Sequence, residues 1–217
     1  MKQKKYILFD LDGTLTDSGL GITKSVQYAL RSFGIEEHDL NKLNVFIGPP
    51  LKDSFMEFYH MTEQQAQEAV KQYRVYYKET GIFENKLYDG IDTMLQKLKE
   101  QGKELFLATS KPELFAKQIL QYFHIDSYFT YIAGASFDGS REEKIDVMRY
   151  ALSLGQVQNM EEAVMIGDRK FDMEAAKQLG MDSIGVLFGF GSKEELTSYG
   201  ANILVNTPKE LEELLLL

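Results

Sequence analysis

Cysteine is absent from the 217 residues, which removes disulfides, thiolate metal sites and cysteine nucleophiles together and fits a reducing compartment. Long apolar runs are missing as well. No stretch approaches the ~20 residues of a membrane span. The basic start, MKQKKYILFD, carries only a short apolar run before Asp10, too little for the core of a signal peptide. There is no basic surplus either: the formal net charge is −9, with acids spread along the chain, whereas a general nucleic-acid binder needs a basic face to release counterions. Repeats and low-complexity segments do not occur. The expectation is a soluble cytoplasmic protein with neither nucleic-acid nor membrane partners.

What the chain has is a globular composition, 44% hydrophobic, in a length that suits one full core plus a modest insertion. Strand-like apolar runs fall at Tyr6–Phe9, Glu104–Ala108, Tyr128–Ala133, Ala163–Ile166, Ser183–Leu187 and Asn202–Val205. Helical segments lie between the later ones, with start signals. Ser140 with Glu143 and Ser192 with Glu195 have the spacing of capping boxes, and Thr207-Pro208-Lys209-Glu210 supplies an N-cap, a proline at the first helical position and a glutamate at the third. This rhythm predicts an α/β, Rossmann-like parallel sheet flanked by helices.

One connection breaks it. About ninety residues separate Asp10 from the strand near Leu105, far beyond an ordinary crossover. The excess has helical spacing: Ala66, Val70, Tyr73 and Tyr77 share a face, and Phe55 with Phe58 or Tyr59 makes a shorter stripe. The predicted organisation is therefore a core of residues 1–15 and 87–217 with a small all-α cap domain inserted at residues 16–86, a position where a lid over the carboxyl edge of the sheet belongs.

Chemistry gathers at the predicted strand ends. Asp10 follows the first strand directly, and Asp12, Gly13 and Thr14 come next. Ligands of open α/β sheets sit at the carboxyl ends of strands, and two carboxylates there repel unless a cation joins them. An ionised Asp10 can act as a nucleophile without an activating base. Asp12, in its protonated form, can donate to a leaving oxygen and later take a proton from water. Amides near Gly13 can cradle phosphate oxygens. An EF-hand is excluded because its sixth position would be Leu15. Thr109 and Ser110 follow the second strand and can bind a phosphoryl oxygen, although Ser and Thr before Pro more ordinarily cap a helix. Lys144, with Lys111 as its rival, offers a cation that offsets phosphoryl charge. In VMIGDRKFD a strand ends at Gly167, Asp168 follows, and Asp172 lies four residues on; Mg²⁺ favours such oxygen ligands. Gly19-Leu-Gly21-Ile-Thr-Lys24-Ser25 lacks the Gly-Lys pair of a phosphate loop and is rejected as one.

Taken in order, Asp10-Leu-Asp12-Gly13-Thr14, Thr109-Ser110, Lys144 and Gly167-Asp168 with Asp172 resemble the four motifs of the haloacid dehalogenase superfamily, along the whole chain and including the inserted cap. The resemblance implies a Mg²⁺-dependent phosphatase working through a phospho-aspartate. It makes Asp10 nucleophile and metal ligand, and Asp12 acid/base with its backbone carbonyl on the metal. Thr109 becomes a phosphate ligand and Lys144 its neutraliser, with Asp168 on the metal and Asp172 behind it. Gly13, Thr14 and Ser110 join the phosphate-binding set. The family's dehalogenases lack the second aspartate, so Asp12 points to phosphate chemistry. Lys144 stands in SREEK and not in the Gly-Lys-Pro context common among phosphoglycolate phosphatases, which keeps Lys111 in play.

Ile47-Gly48-Pro49-Pro50-Leu51 and Gly189-Phe190-Gly191-Ser192 resemble a bacterial branch described as phosphoglycolate phosphatase-like or 5′-nucleotidase-like. There the cap decides the substrate, with Pro49, Pro50 and Lys52 as candidates and Gly19 and Gly21 as hinge candidates. Pro50 is equally placed to start a helix, and the glycines to loosen one. The expected partner is a small phosphorylated metabolite, phosphoglycolate or a nucleoside 5′-monophosphate, in a monomer or dimer. A β-phosphoglucomutase-type phosphomutase is the alternative, and a non-catalytic phosphate-binding module a third.

Overall fold

The computed structural model describes residues 4–217. The chain separates into two compact units. One runs to Thr16 and resumes from Leu87 to Leu217; the other is Asp17–Lys86. In chain order the strands are β1 (Tyr6–Phe9), β2 (Thr16–Asp17), β3 (Lys86–Leu87), β4 (Glu104–Pro112), β5 (Tyr131–Ala135), β6 (Ala163–Gly167), β7 (Asp182–Val186) and β8 (Ile203–Val205). The α-helices are α1 (Gly19–Arg31), α2 (Leu51–Tyr59), α3 (Glu63–Glu79), α4 (Ile91–Glu100), α5 (Glu113–Tyr122), α6 (Lys144–Leu154), α7 (Lys170–Leu179), α8 (Lys193–Ser198) and α9 (Pro208–Leu216).

Six parallel strands form the main sheet in the order β5-β4-β1-β6-β7-β8. The short β1 is central, with Tyr6–Phe9 in register with Glu104–Leu107 on one side and with Ala163–Ile166 on the other. It is apolar throughout because both faces of a covered parallel sheet are buried. Leu8 joins Phe106, Ala108, Ala133 and Met165 in a core closed by Val147, Met148 and Ala151 of α6 and Ala175 and Ala176 of α7. Ile7 and Phe9 point the other way by strand alternation and are equally buried. After β1 the chain moves outward to β4 and β5, then returns to β1's other flank at β6 and moves outward again. Loops leaving β1 and β6 therefore diverge, and this divergence opens the crevice where ligands of such sheets bind.

Local differences from the sequence reading have visible causes. Asp126–Tyr128 is a tight helical turn, closed by Tyr128 N donating to the Ile125 carbonyl, so β5 begins at Tyr131. Strand β4 continues past Ala108 to Pro112, with a register shift against β5 between Thr109 and Pro112. Helix α5 starts after Pro112 without a side-chain cap, so Thr109 and Ser110 are strand residues and not its caps. The Ser140–Glu143 capping box does not form. Ser140 is drawn instead to Asp138, whose carboxylate accepts from both its amide and its hydroxyl, and α6 begins uncapped at Lys144. Thr207 does cap α9, accepting from Glu210 N ahead of Pro208.

In the helical unit, Thr62 and Gln65 form a reciprocal capping box at the start of α3. Its apolar face is Ala66, Ala69, Tyr73 and Tyr77, with Val70 only half-buried. Phe55 is buried against Phe46, while Phe58 is exposed. Pro50 immediately precedes α2, and Lys52 pairs at the surface with Glu63 at 3.2 Å. Gly21 sits where α1 crosses the Gly81–Phe83 turn: a Cβ there would lie 1.9 Å from the Gly81 carbonyl oxygen, and the Gly21 amide donates to the Glu84 carbonyl at 3.1 Å. This contact requires glycine without any appeal to a hinge. Gly21→Ala is expected to destabilise the helical unit by about 2 kcal/mol through overpacking, read as faster amide hydrogen exchange in α1 and α3.

Candidate active site

The sheet places acidic residues at the ends of β1 and β6, its two central strands. The Asp10 amide donates to the Ile166 carbonyl at 2.9 Å, which extends β1's pairing with β6 right up to the carboxylate. Asp168 follows β6 directly, and Asp172 lies in the first turn of α7. These three residues come from separate places in the sequence, yet each offers a carboxylate oxygen within 4.8 Å of the others'. All three are buried, Asp168 and Asp172 completely.

Such crowding is costly unless a positive charge answers it. Part of the answer is Lys144, the first residue of α6. Its Nζ lies 2.8 Å from Asp10 Oδ1, 2.8 Å from Asp172 Oδ1 and 3.1 Å from the Ala108 carbonyl oxygen, to which it donates. Burial works against the ammonium, but Asp10 and Asp172 outweigh it and hold the lysine firmly protonated. Asp172 accepts from Arg169 N through Oδ2 at 3.1 Å. Its pKa is still pushed up to about 6, first by burial and then by Asp10, against the pull of Lys144.

Asp168 is compensated least. Burial, then Asp10 and Asp172, push its carboxyl well above the ordinary range. Its Oδ2 accepts from Phe190 N at 2.7 Å, whereas the buried Oδ1 has no hydrogen-bond partner among the described residues. An unpartnered, buried carboxylate oxygen facing two more carboxylates fits a hard divalent cation, whose preferred donors are oxygens.

Asp12 stands slightly apart, outside this cluster, with Oδ2 paired to Lys111 Nζ at 3.0 Å. The two candidate lysines thus divide: Lys144 serves Asp10 and Asp172, and Lys111 serves Asp12. Thr109 is buried in the irregular end of β4, its hydroxyl accepting from Lys111 N at 3.2 Å, and Ser110 is half-buried beside it. The Gly13 and Thr14 amides, expected to cradle phosphate, are here engaged within the loop itself. They close the turn, donating to the Thr16 and Leu11 carbonyls at 2.7 and 3.3 Å. Gly13 has a different necessity: its φ is +78°, and a Cβ would lie 2.1 Å from Asp168 Oδ2.

Sequence reasoning missed the Phe190 amide, the Ala108 carbonyl and the Asp12–Lys111 pair. Backbone donors and acceptors leave no residue signal, and Lys111 of the pair sits in an irregular stretch of β4 that no local pattern announces. Pro49, Pro50 and Lys52 lie in the helical unit, apart in the chain from all of these residues.

A family model for haloacid dehalogenase-like hydrolases matches residues 7–186. The chain belongs to this family. It is 51% identical to a predicted phosphatase from Clostridium acetobutylicum whose crystal structure superposes with a TM-score of 0.94, covering 98% of each chain. A 5′-nucleotidase from Pseudomonas aeruginosa is 46% identical over 89% of this chain and 87% of its own. The tyrosine-protein kinase PtkA of Mycobacterium tuberculosis is 37% identical over 96% of this chain and 72% of its own. The chain is an enzyme of the phosphatase class, with an acidic cluster able to hold a metal. None of its described helices is long and apolar enough to cross a membrane.

The crowding itself is testable in metal-free phosphatase. A carboxyl whose folded pKa is raised costs nothing below its unfolded pKa near 4; the penalty grows as pH rises toward the folded value and is complete above it. Asp168→Asn removes one such group and retains an oxygen for Phe190 N. In EDTA-treated protein it is expected to raise unfolding stability by about 1 kcal/mol at pH 8 and far less at pH 4, measured by urea denaturation.

Proposed function

We propose that the chain hydrolyses a phosphate monoester of a small metabolite, with Asp10 as nucleophile, Asp12 as acid/base and Mg²⁺ as the cation. The observation that carries this reading is the cluster of Asp10, Asp168 and Asp172 with Lys144 beside it and one buried Asp168 oxygen unpartnered. A single cation cannot satisfy that many carboxylates in so small a volume, and a metal ion completes the charge balance. Asp10 and Asp168 would hold the ion through their carboxylates and Asp12 through its backbone carbonyl, with Asp172 behind them. When bound, Mg²⁺ supplies positive charge to the phosphoryl oxygens and to the attacking carboxylate.

In the first step a carboxylate oxygen of Asp10 attacks phosphorus. The ester P–O bond breaks, and the departing oxygen takes a proton from Asp12. In the second, Asp12, now a carboxylate, accepts a proton from water as the water oxygen attacks phosphorus. This returns Asp10 and releases inorganic phosphate. Lys144 keeps Asp10 oriented and offsets charge on the phosphoryl group. Thr109, with Ser110 beside it, binds a phosphoryl oxygen. Positioning and charge neutralisation are most of what such a transfer requires. In the same reading Pro49, Pro50 and Lys52 take the substrate-selecting role that their sequence context suggests.

The named activity of the Pseudomonas aeruginosa relative supports nucleoside 5′-monophosphates as the first substrates to test, with phosphoglycolate second. Phosphate release from these, from sugar phosphates and from p-nitrophenyl phosphate is expected to stop in EDTA and return with Mg²⁺. Asp10→Asn is expected to lower turnover at least about a thousandfold. Undiminished hydrolysis in Asp10→Asn would sink the mechanism, and conversion of β-glucose 1-phosphate to glucose 6-phosphate would move the enzyme to the phosphomutases.

A further inference from the structure

The Ser192–Glu195 pair fulfils only half of its capping-box pattern. Ser192 Oγ accepts from the Glu195 amide at 3.1 Å, but the Glu195 carboxylate turns away from its own helix. One oxygen, Oε1, accepts from the Lys170 amide at 2.8 Å and from Arg169 Nε at 3.0 Å. Those donors belong to the two residues directly after Asp168, at the entrance of α7. We propose that Glu195 is a positioning residue for the cation site, fixing the Asp168–Asp172 loop by capping α7 from outside and by holding Arg169 aside.

The first amides of a helix have no partner within it, and negative groups are favoured there. In α7 the Arg169 amide is met by Asp172 Oδ2 and the Lys170 amide by Glu195 Oε1. One bond comes from within the loop and the other from α8, so the backbone between Asp168 and Asp172 is held from two directions. The loop leading into α8 orients Asp168 itself, because Phe190 N occupies Oδ2 and leaves Oδ1 for a cation. Charge makes the second argument. Arg169 is a permanent cation next to carboxylates that await one, and its attraction is already felt at Asp168. Paired with Glu195, with side chains only 15% and 22% exposed, the guanidinium is committed elsewhere. Released, it becomes an internal competitor for the carboxylates that a metal needs. Partners of metal ligands commonly change affinity by ten- to a hundredfold when removed.

This inference rests on the metal reading above, and the experiment separates the two. The full chain, stripped with EDTA, is titrated with Mn²⁺ alone, with free ion followed by electron paramagnetic resonance; Mg²⁺ is titrated by calorimetry. Glu195→Ala is expected to weaken binding about tenfold, with turnover recovering at saturating Mg²⁺. Glu195→Gln keeps an acceptor toward both donors and is expected to recover most of the affinity. Glu194→Ala, an exposed neighbour on the same short helix, is expected to bind like the unaltered protein. Should Glu195→Ala not fold, Arg169→Lys keeps the positive charge but removes the guanidinium and with it the Nε–Oε1 bond, and is expected to weaken Mn²⁺ binding severalfold. Unaltered affinity in Glu195→Ala or Arg169→Lys, equal weakening by Glu194→Ala and Glu195→Ala, or no recovery in Glu195→Gln would each overturn the proposal. Absence of Mn²⁺ and Mg²⁺ binding in the unaltered protein would overturn the metal reading with it.

Discussion

Bringing three buried carboxylates within 4.8 Å of each other is the constraint around which the α/β unit is arranged. Left alone, such groups would take up protons or push apart. The fold prevents separation by fastening each one to a different rigid element: Asp10 to the central strand, Asp168 to the strand beside it, Asp172 to a helix start. It discourages full protonation by burying Lys144 against two of them. The arrangement stays short of neutrality, and the deficit falls on Asp168. A site that folds incomplete in charge is one prepared for a charged visitor, and stability is given up to keep it so.

Two lysines share the work that the motifs suggest for one. Lys144 reaches the cluster from the start of α6, and Lys111 reaches Asp12 from the irregular end of β4. Each cation is thereby committed to its own carboxylates. Lys111 lies within the irregular stretch of β4 between Thr109 and Pro112, so the strand irregularity and the ion pair coincide.

Much of this is legible in the sequence. The strand-then-aspartate pattern at Asp10 and Asp168 marked the cluster because apolar runs identify buried strands and buried strands end at ligand sites. Lys144 was readable as the head of a helix, although its supposed Ser140–Glu143 cap was not real: Ser140 had a nearer acceptor in Asp138. For Thr109 and Ser110 it is the helix-cap alternative that falls, since β4 continues to Pro112 and nothing local reveals it. The bonds of the Gly13 and Thr14 amides within their own turn have no signal in the sequence. Glu195 was visible only as the second half of a capping pattern, because its partners lie some twenty-five residues upstream in sequence. Local chemistry is written in neighbouring letters; tertiary hydrogen bonds are not.

The central place of β1 has a consequence during synthesis. Tyr6–Phe9 is made well before one of its pairing partners, Ala163–Ile166, which follows about 150 residues later. At roughly 5–20 residues per second this apolar strand waits on the order of ten seconds with an open edge. Its neighbours in sequence suit that wait: Lys4 and Lys5 stand before it and Asp10 and Asp12 after it, charges that discourage premature strand pairing with another chain. The aspartates that follow β1 at the sheet's carboxyl end therefore guard the nascent strand first.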